Sequence, residues 1–245
     1  MSELEGHVAV VTGSSSGIGE ATARLLSLAG ANVVVNSAKS VDAGNAVAQA
    51  LPTDSIYVQA DIADQAQGER LIDAAITRFG RLDILVNNAG WTSPVDHSDL
   101  EGLTDDILLK TFQVNVFGTW WLTRSAMPFL SEAPDGNVVM VTSVAGIRPS
   151  GSSIAYAMSK AALNHLTVLL ARACGPVRVN AVAPGLIDTP WTESYDEVRR
   201  SVSEIAPLRR TGKPEEIAQA VLSLVTNTYA TGAIVVVDGG VTQVR

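Results

Sequence analysis

The chain has 245 residues, 47% of them hydrophobic and 17% charged, which is enough apolar material for a sizeable core and excludes a disordered chain. A formal net charge of −8, with no basic block or stripe, argues against a nucleic-acid partner. Cys174 is the one cysteine, so an intrachain disulfide and a cysteine-rich metal cluster are both excluded, and its place at the end of an apolar helix suggests a buried structural thiol. The acidic start, Met1-Ser2-Glu3-Leu4-Glu5, lacks the basic and apolar regions of a signal peptide. No apolar run reaches the roughly 18 residues of a membrane span. A cytoplasmic protein with no membrane partner is expected.

Residues 7–12 form a short β-branched run, the mark of a strand buried on both faces. Gly13-Ser14-Ser15-Ser16-Gly17-Ile18-Gly19 follows, and a helix is expected over residues 20–29. A glycine-rich turn between strand and helix lets backbone amides approach a pyrophosphate, which the helix N-terminus attracts. A plain tight turn would also explain the glycines. The second strand, residues 32–36, ends in Asn36-Ser37-Ala38-Lys39. Nicotinamide folds selective for NAD place a carboxylate here on the ribose 2′-hydroxyl. None is present and Lys39 is at hand, so NADP is favoured over NAD.

Residues 55–60 read as a third strand with Asp61-Ile62 at its end, followed by a helix over 63–79 and a fourth strand over 82–86. That strand runs into Asn87-Asn88-Ala89-Gly90, paired amides and small residues that bond a strand end and leave room for a flat ligand. Residues 91–106 are loop-like. Residues 107–130 carry one helical period with Asn115 at the middle, where an amide competes for backbone bonds; it is either solvent-facing or marks a functional site.

Residues 137–142 make a fifth strand, with Ser143 at its carboxyl end. A long helix is expected over 154–174. Within it Tyr156 and Lys160 stand one turn apart on one face, where a fixed cation would lower the phenol's pKa and make it an acid/base near neutrality. His165 falls on the opposite side of that helix, and no histidine has the spacing of a metal site, so no metal is expected. Residues 177–182 form a sixth strand closed by Ala183-Pro184-Gly185. Residues 186–206 look mobile, a helix starts at Pro214-Glu215-Glu216, and a seventh strand over 233–237 precedes Asp238-Gly239-Gly240. Strands alternating with helices give an α/β doubly wound, seven-stranded parallel sheet in a single domain, residues 1–245.

Taken together, Thr12-Gly13…Gly17-Ile18-Gly19, Asp61, Asn87-Asn88-Ala89-Gly90, Asn115, Ser143, Tyr156…Lys160, Pro184-Gly185 and Asp238-Gly239-Gly240 resemble, in order and over nearly the whole length, a short-chain dehydrogenase/reductase. The resemblance implies a Rossmann-type fold that binds NAD(P) and transfers hydride at a small-molecule carbonyl or secondary alcohol. Tyr156 would donate or accept the proton, with Lys160 lowering its pKa and holding the nicotinamide ribose. Ser143 would polarise the substrate oxygen, and Asn115 would hold a water in a proton relay.

Gly13, Ser15, Ser16, Gly17, Ile18, Gly19, Asn36, Ser37, Asp61, Ile62, Asn88, Ala89, Gly90, Pro184, Gly185, Ile187 and Thr189 would contact the cofactor together with Tyr156 and Lys160. Trp91, Ile147, Leu186, Trp191 and Tyr195 would line the substrate pocket beside Ser143 and Tyr156, with 186–206 as a lid. The general pattern is similar to 3-oxoacyl-carrier-protein reductases, but the acidic turn Ser131-Glu132-Ala133-Pro134-Asp135 would repel an acidic carrier. A small free ketone or alcohol therefore ranks first. Carrier-protein reduction and a catalytically silent NAD(P)-binding regulator are the alternatives. Family members are usually tetramers, so a homotetramer is expected.

Overall fold

Strand β1 (Val8–Val11) is apolar at every position because its two faces are both covered, and none of its residues reaches solvent. In the computed structural model, which describes residues 3–244, six more strands join it in one parallel sheet. They are β2 (Asn32–Ser37), β3 (Ser55–Gln59), β4 (Ile84–Asn87), β5 (Asn137–Val141), β6 (Arg178–Pro184) and β7 (Ile234–Val237). The order β3-β2-β1-β4-β5-β6-β7 is the seven-stranded doubly wound arrangement that the alternation of elements implies. Side chains alternate across it. Ala9, Val11, Val139 and Val141 join one core, while Val10, Val138 and Met140 join the other.

Helices α1 (Gly17–Leu28), α2 (Val41–Ala50), α3 (Gln65–Phe79), α4 (Asp105–Phe112), α5 (Thr119–Glu132), α6 (Ile154–Ala173), α7 (Asp196–Ile205) and α8 (Pro214–Thr226) fill the connections. Leu26, Ile217, Val221 and Leu224 from α1 and α8 cover one face of the sheet. Leu71, Ile72, Leu122, Leu130 and Leu170 from α3, α5 and α6 cover the other. The chain runs outward from β1 to β3 and then restarts at β4 on the other side of β1. That reversal opens a crevice beyond the carboxyl ends of the strands.

Three elements differ from the sequence reading. Helix α2 was not expected, because it buries only the small stripe Gly44, Val47 and Ala48 rather than a broad apolar face. The helix expected over 107–130 is two helices joined by a π-helical turn, Gln113–Gly118. The turn swings Asn115 inward until it is fully buried, which removes the solvent-facing alternative. The stretch 186–206 contains a short 3₁₀ turn, Pro190–Thr192, and α7, which buries none of its residues. Cys174 is only half-buried, packed at the edge of a core, so the buried-thiol expectation is corrected. Met1 and Ser2 of the acidic start lie outside the described residues.

Candidate active site

The crevice is a single cleft of about 1590 Å³. Its floor begins at the glycine loop. Gly17 has φ +57°, a conformation that L side chains rarely adopt, and it opens α1. Ser16 caps that helix without any side-chain bond, so the first-turn amides are left without a side-chain partner where Ser16, Gly17 and Ile18 line the cleft. This is the donor set that a pyrophosphate requires. Gly19 serves the packing of the loop instead. A Cβ there would collide with the Gly13 carbonyl oxygen and the Asn88 amide, and the residue does not line the cleft, a correction to the cofactor contact expected of it.

The loop is tied to its neighbours by polar bonds that the strand pattern does not reveal. Asn36 Nδ2 donates to the carbonyls of Val58 and Ala60 at 3.1 and 3.0 Å, and its Oδ1 accepts from the Gly13 amide at 3.4 Å. Its side chain is therefore occupied in joining the ends of β1, β2 and β3, while the residue itself lines the cleft. Asn88 Nδ2 likewise donates to the Thr12 and Gly13 carbonyls at 2.8 and 3.1 Å. Thr12, named in the glycine motif but given no role there, accepts from the amides of both Asn88 and Ala89 at 3.0 Å. Its hydroxyl was hidden inside an apolar run.

Along the cleft beyond the loop lie Ser15, Ser37, Lys39, Asp61, Ile62, Ala89 and Gly90. The Ser37 hydroxyl is 2.9 Å from that of Tyr57, and Asp61 Oδ1 accepts from the Ala63 amide. Pro184, Gly185, Ile187 and Thr189, from the end of β6 and the segment after it, face them. The residues present fit an extended dinucleotide: open helix-start amides, small residues at the strand ends and a polar rim after β2.

Ser143, Tyr156 and Lys160 meet at the other half of the cleft. Ser143 follows β5 by two residues and caps a 3₁₀ turn, its hydroxyl accepting from the Ala145 amide at 3.1 Å. Tyr156 is set at the start of α6 by Ser153, whose hydroxyl accepts from the Tyr156 amide. The Lys160 ammonium, 4% exposed, donates to the Val141 carbonyl at 2.9 Å and sits 5.6 Å from the centre of the Tyr156 ring.

Burial pushes the Tyr156 phenol up to about 12, against the pull of the Ser143 hydroxyl, and Tyr195 adds to the rise. Burial also brings Lys160 down to about 8. The expectation that Lys160 lowers the phenol's pKa is thus not met in the free chain. The ammonium lies over the ring and bonds a backbone carbonyl, while desolvation opposes the phenolate.

The remaining sites divide. Trp91, Leu186, Trp191 and Tyr195 line the cleft as expected. Ile147 does not: it is 41% exposed and lies outside it, because the 3₁₀ turn after Ser143 carries it away. Asn115 also stands behind the lining. Its Oδ1 accepts from the Trp91 amide at 2.7 Å, and its Nδ2 donates to the Trp91 carbonyl and the Ser159 hydroxyl, each at 3.0 Å. No group of metal-ligating side chains occurs among the described residues, and no helix there is long and apolar enough to cross a membrane.

A family model described as enoyl-(acyl carrier protein) reductase matches residues 13–242. A chain assigned as ketoacyl reductase 2 of the granaticin polyketide synthase of Streptomyces violaceoruber is 52% identical, over 96% of each chain. The cis-4-hydroxycyclohexanecarboxylate dehydrogenase of Sinomonas cyclohexanicum is 36% identical, over 97% of each. A crystal structure of a chain assigned to the short-chain dehydrogenase/reductases of Burkholderia xenovorans superposes with a TM-score of 0.90 at 35% identity, covering 97% of this chain and 98% of that one. With this fold, cleft and kinship, the chain belongs to the short-chain dehydrogenase/reductase family. It is an NAD(P)-dependent oxidoreductase that moves a hydride between the nicotinamide and a carbonyl or secondary alcohol.

The buried ammonium carries a stability cost with a definite pH window. Lys160 titrates at about 8 in the folded chain and near 10.5 in the unfolded one, so the unfolded chain binds more protons between those values. Stability therefore rises with pH across the window, and below pH 8 the full cost applies, about 3 kcal/mol. Lys160→Met is expected to unfold at higher urea concentration than wild type at pH 7, with the gain shrinking between pH 8 and 10.5. Equal midpoints at pH 7 would show that the amine carries no such cost.

Proposed function

We propose that the enzyme reduces a small free ketone, or oxidises the matching alcohol, with NADP favoured over NAD and Tyr156 as general acid/base. The observation that carries this reading is the convergence of Ser143, Tyr156 and Lys160 on the cleft that the glycine loop opens. Gly13, Ser15, Ser16, Gly17 and Ile18 would hold the pyrophosphate. Ser37 and Lys39 would face the 2′ position, and Asp61 and Ile62 would lie beside the adenosine. Ala89, Gly90, Pro184, Gly185, Ile187 and Thr189 would flank the nicotinamide end. When bound, NADPH supplies the hydride.

The protein's contribution is a proton and its placement. Negative charge grows on the carbonyl oxygen during reduction and needs a donor already in position. A phenol held at about 12 in the free chain is protonated throughout the physiological range, and acid/base work near neutrality would need its pKa brought down once cofactor and substrate are bound. Ser143 would polarise the same oxygen. Lys160, charged below about pH 8, would hold the ribose and favour the tyrosinate left after transfer. Residues 186–206, with Trp191 and Tyr195 turned to the cleft, would serve as the lid.

A second reading, reduction of a carrier-bound 3-oxoacyl group, is favoured by the name of the Streptomyces relative. Against it stands the turn after α5, where Glu132 and Asp135 are both exposed and would meet an acidic carrier with like charge.

A homotetramer is part of the same proposal. Phe117, Trp120, Val168 and Leu169 leave an exposed apolar surface on the π-turn, α5 and α6. Of the alanines on α6, Ala155 is buried within the chain while Ala161 is exposed and free for a second copy.

Three measurements test these points. Tyr156→Phe should lower kcat about 10³-fold while the Kd for NADPH changes less than about twofold; near-wild-type turnover would exclude Tyr156 from proton transfer. NADPH should bind more tightly than NADH, and Lys39→Ala should weaken NADPH about fivefold with NADH unaffected, the scale of one exposed ion pair. Equal affinities in the wild type would remove the NADP preference. Light scattering at micromolar concentration should give four times the chain mass, and a monomer would refute the tetramer.

A further inference from the structure

Behind the substrate half of the cleft runs a chain of buried hydrogen bonds. Ser159, fully buried on α6, donates to the Tyr156 carbonyl at 2.7 Å and accepts from Asn115 Nδ2 at 3.0 Å. Asn115 in turn grips both backbone groups of Trp91, with Oδ1 on its amide and Nδ2 on its carbonyl. Both donors of that amide are thereby used, so the side chain acts as a rigid bracket between the catalytic helix and the residue after Gly90. A Cβ placed on Gly90 would lie 3.7 Å from Lys160 Nζ and 3.4 Å from Asn115 Oδ1, so Trp91 follows directly on a glycine that packs close to the lysine.

The indole ring itself has a partner as well. Lys110, which also lines the cleft, places its ammonium 4.4 Å from the ring centre of Trp91. The loop that continues from Trp91 is fastened by the Val95 amide on the Ser152 carbonyl at 2.8 Å and by the Thr92 and Ser152 hydroxyls at 2.6 Å. A second indole, Trp191, brings its ring tip to 3.6 Å from the Cβ position at Gly90. Two indoles thus flank Gly90, one of them held through its backbone by Asn115 and at its ring by Lys110.

We propose that Ser159 and Lys110 are positioning residues that hold the Trp91 indole as the wall of the substrate half, making this a site for flat, ring-bearing ketones. The proposal deepens the function given above and rests on it. A fixed aromatic face gains most from a planar ring laid against it and little from a short acyclic ketone. Removing the Ser159 hydroxyl strands a buried donor of Asn115, an effect worth about tenfold in affinity for whatever uses the wall.

The test compares reduction of tetralone and of diacetyl, with NADPH, by the wild type, Ser159→Ala, Ser159→Thr and Lys110→Gln. The wild type is expected to prefer tetralone. In Ser159→Ala and Lys110→Gln the KM for tetralone should rise about tenfold more than that for diacetyl, with kcat for the two ketones moving together, and Ser159→Thr should restore it. Equal losses on both ketones, or a fall in kcat with KM unchanged, would overturn the wall. Amide hydrogen exchange reads the bracket without turnover: protection of the Trp91 amide should drop about tenfold in Ser159→Ala, and unchanged protection would overturn the link. A wild type that turns over diacetyl without preferring tetralone refutes the substrate class alone. One that turns over neither ketone while binding NADPH refutes both the substrate class and the carbonyl reduction on which it rests.

Discussion

A single buried ammonium binds the two halves of this enzyme together. Lys160 projects from α6 to the carbonyl of Val141, the last residue of β5, and so fastens the catalytic helix to the sheet that carries the cofactor loop. A charge in that position is unfavourable in its own right, since burial drives its pKa down to about 8. It persists because the surrounding fold over-determines it. Ser143 enters at the end of the same strand and Tyr156 one helical turn earlier, so three groups from consecutive elements share one local frame.

That frame shifts the usual account of how the phenol works. In the free chain Tyr156 is held at about 12, and the lysine sits over its ring rather than at its hydroxyl. In the free chain, burial favours the neutral phenol. The same desolvation that makes the tyrosinate costly also strengthens every interaction that later stabilises charge on the substrate oxygen.

The polar residues of the cleft fall into two groups with different roles. Asn36, Asn88, Asn115 and Thr12 use their side chains on backbone groups and shape the walls. Ser15, Ser16, Ser37 and Ser143 line the space that those walls enclose. Amides with two donors and an acceptor are well suited to bridge strand ends where the ladder stops, which is why asparagine gathers at the reversal between β1 and β4. Cations and carboxylates both border the cleft: Lys39, Lys110, Arg148 and Lys160 stand beside Asp61, Asp96, Asp196 and Glu197.

Much of this was legible from residue order. Parallel strands buried on both faces announce themselves as β-branched runs, and the glycine loop, the paired amides, Ser143 and the Tyr156–Lys160 spacing are local patterns that survive without coordinates. Local pattern could not show direction or occupancy. Asn36 lines the cleft, yet its side-chain amide is taken up by two carbonyls; Ile147 looked like a pocket wall and is turned outward by a 3₁₀ turn. The π-turn that buries Asn115 lies inside one continuous apolar pattern, and Asn115, out of place in mid-helix, was the one local sign of it. Helix and strand identity follow from periodicities carried along the chain, whereas the partner of each polar atom and the solvation of each charge depend on which distant segments pack against it. Sequence alone determined the sheet, the family resemblance and the catalytic pair; tertiary packing decided which amides face the ligand, which hold the walls and where the phenol's proton resides.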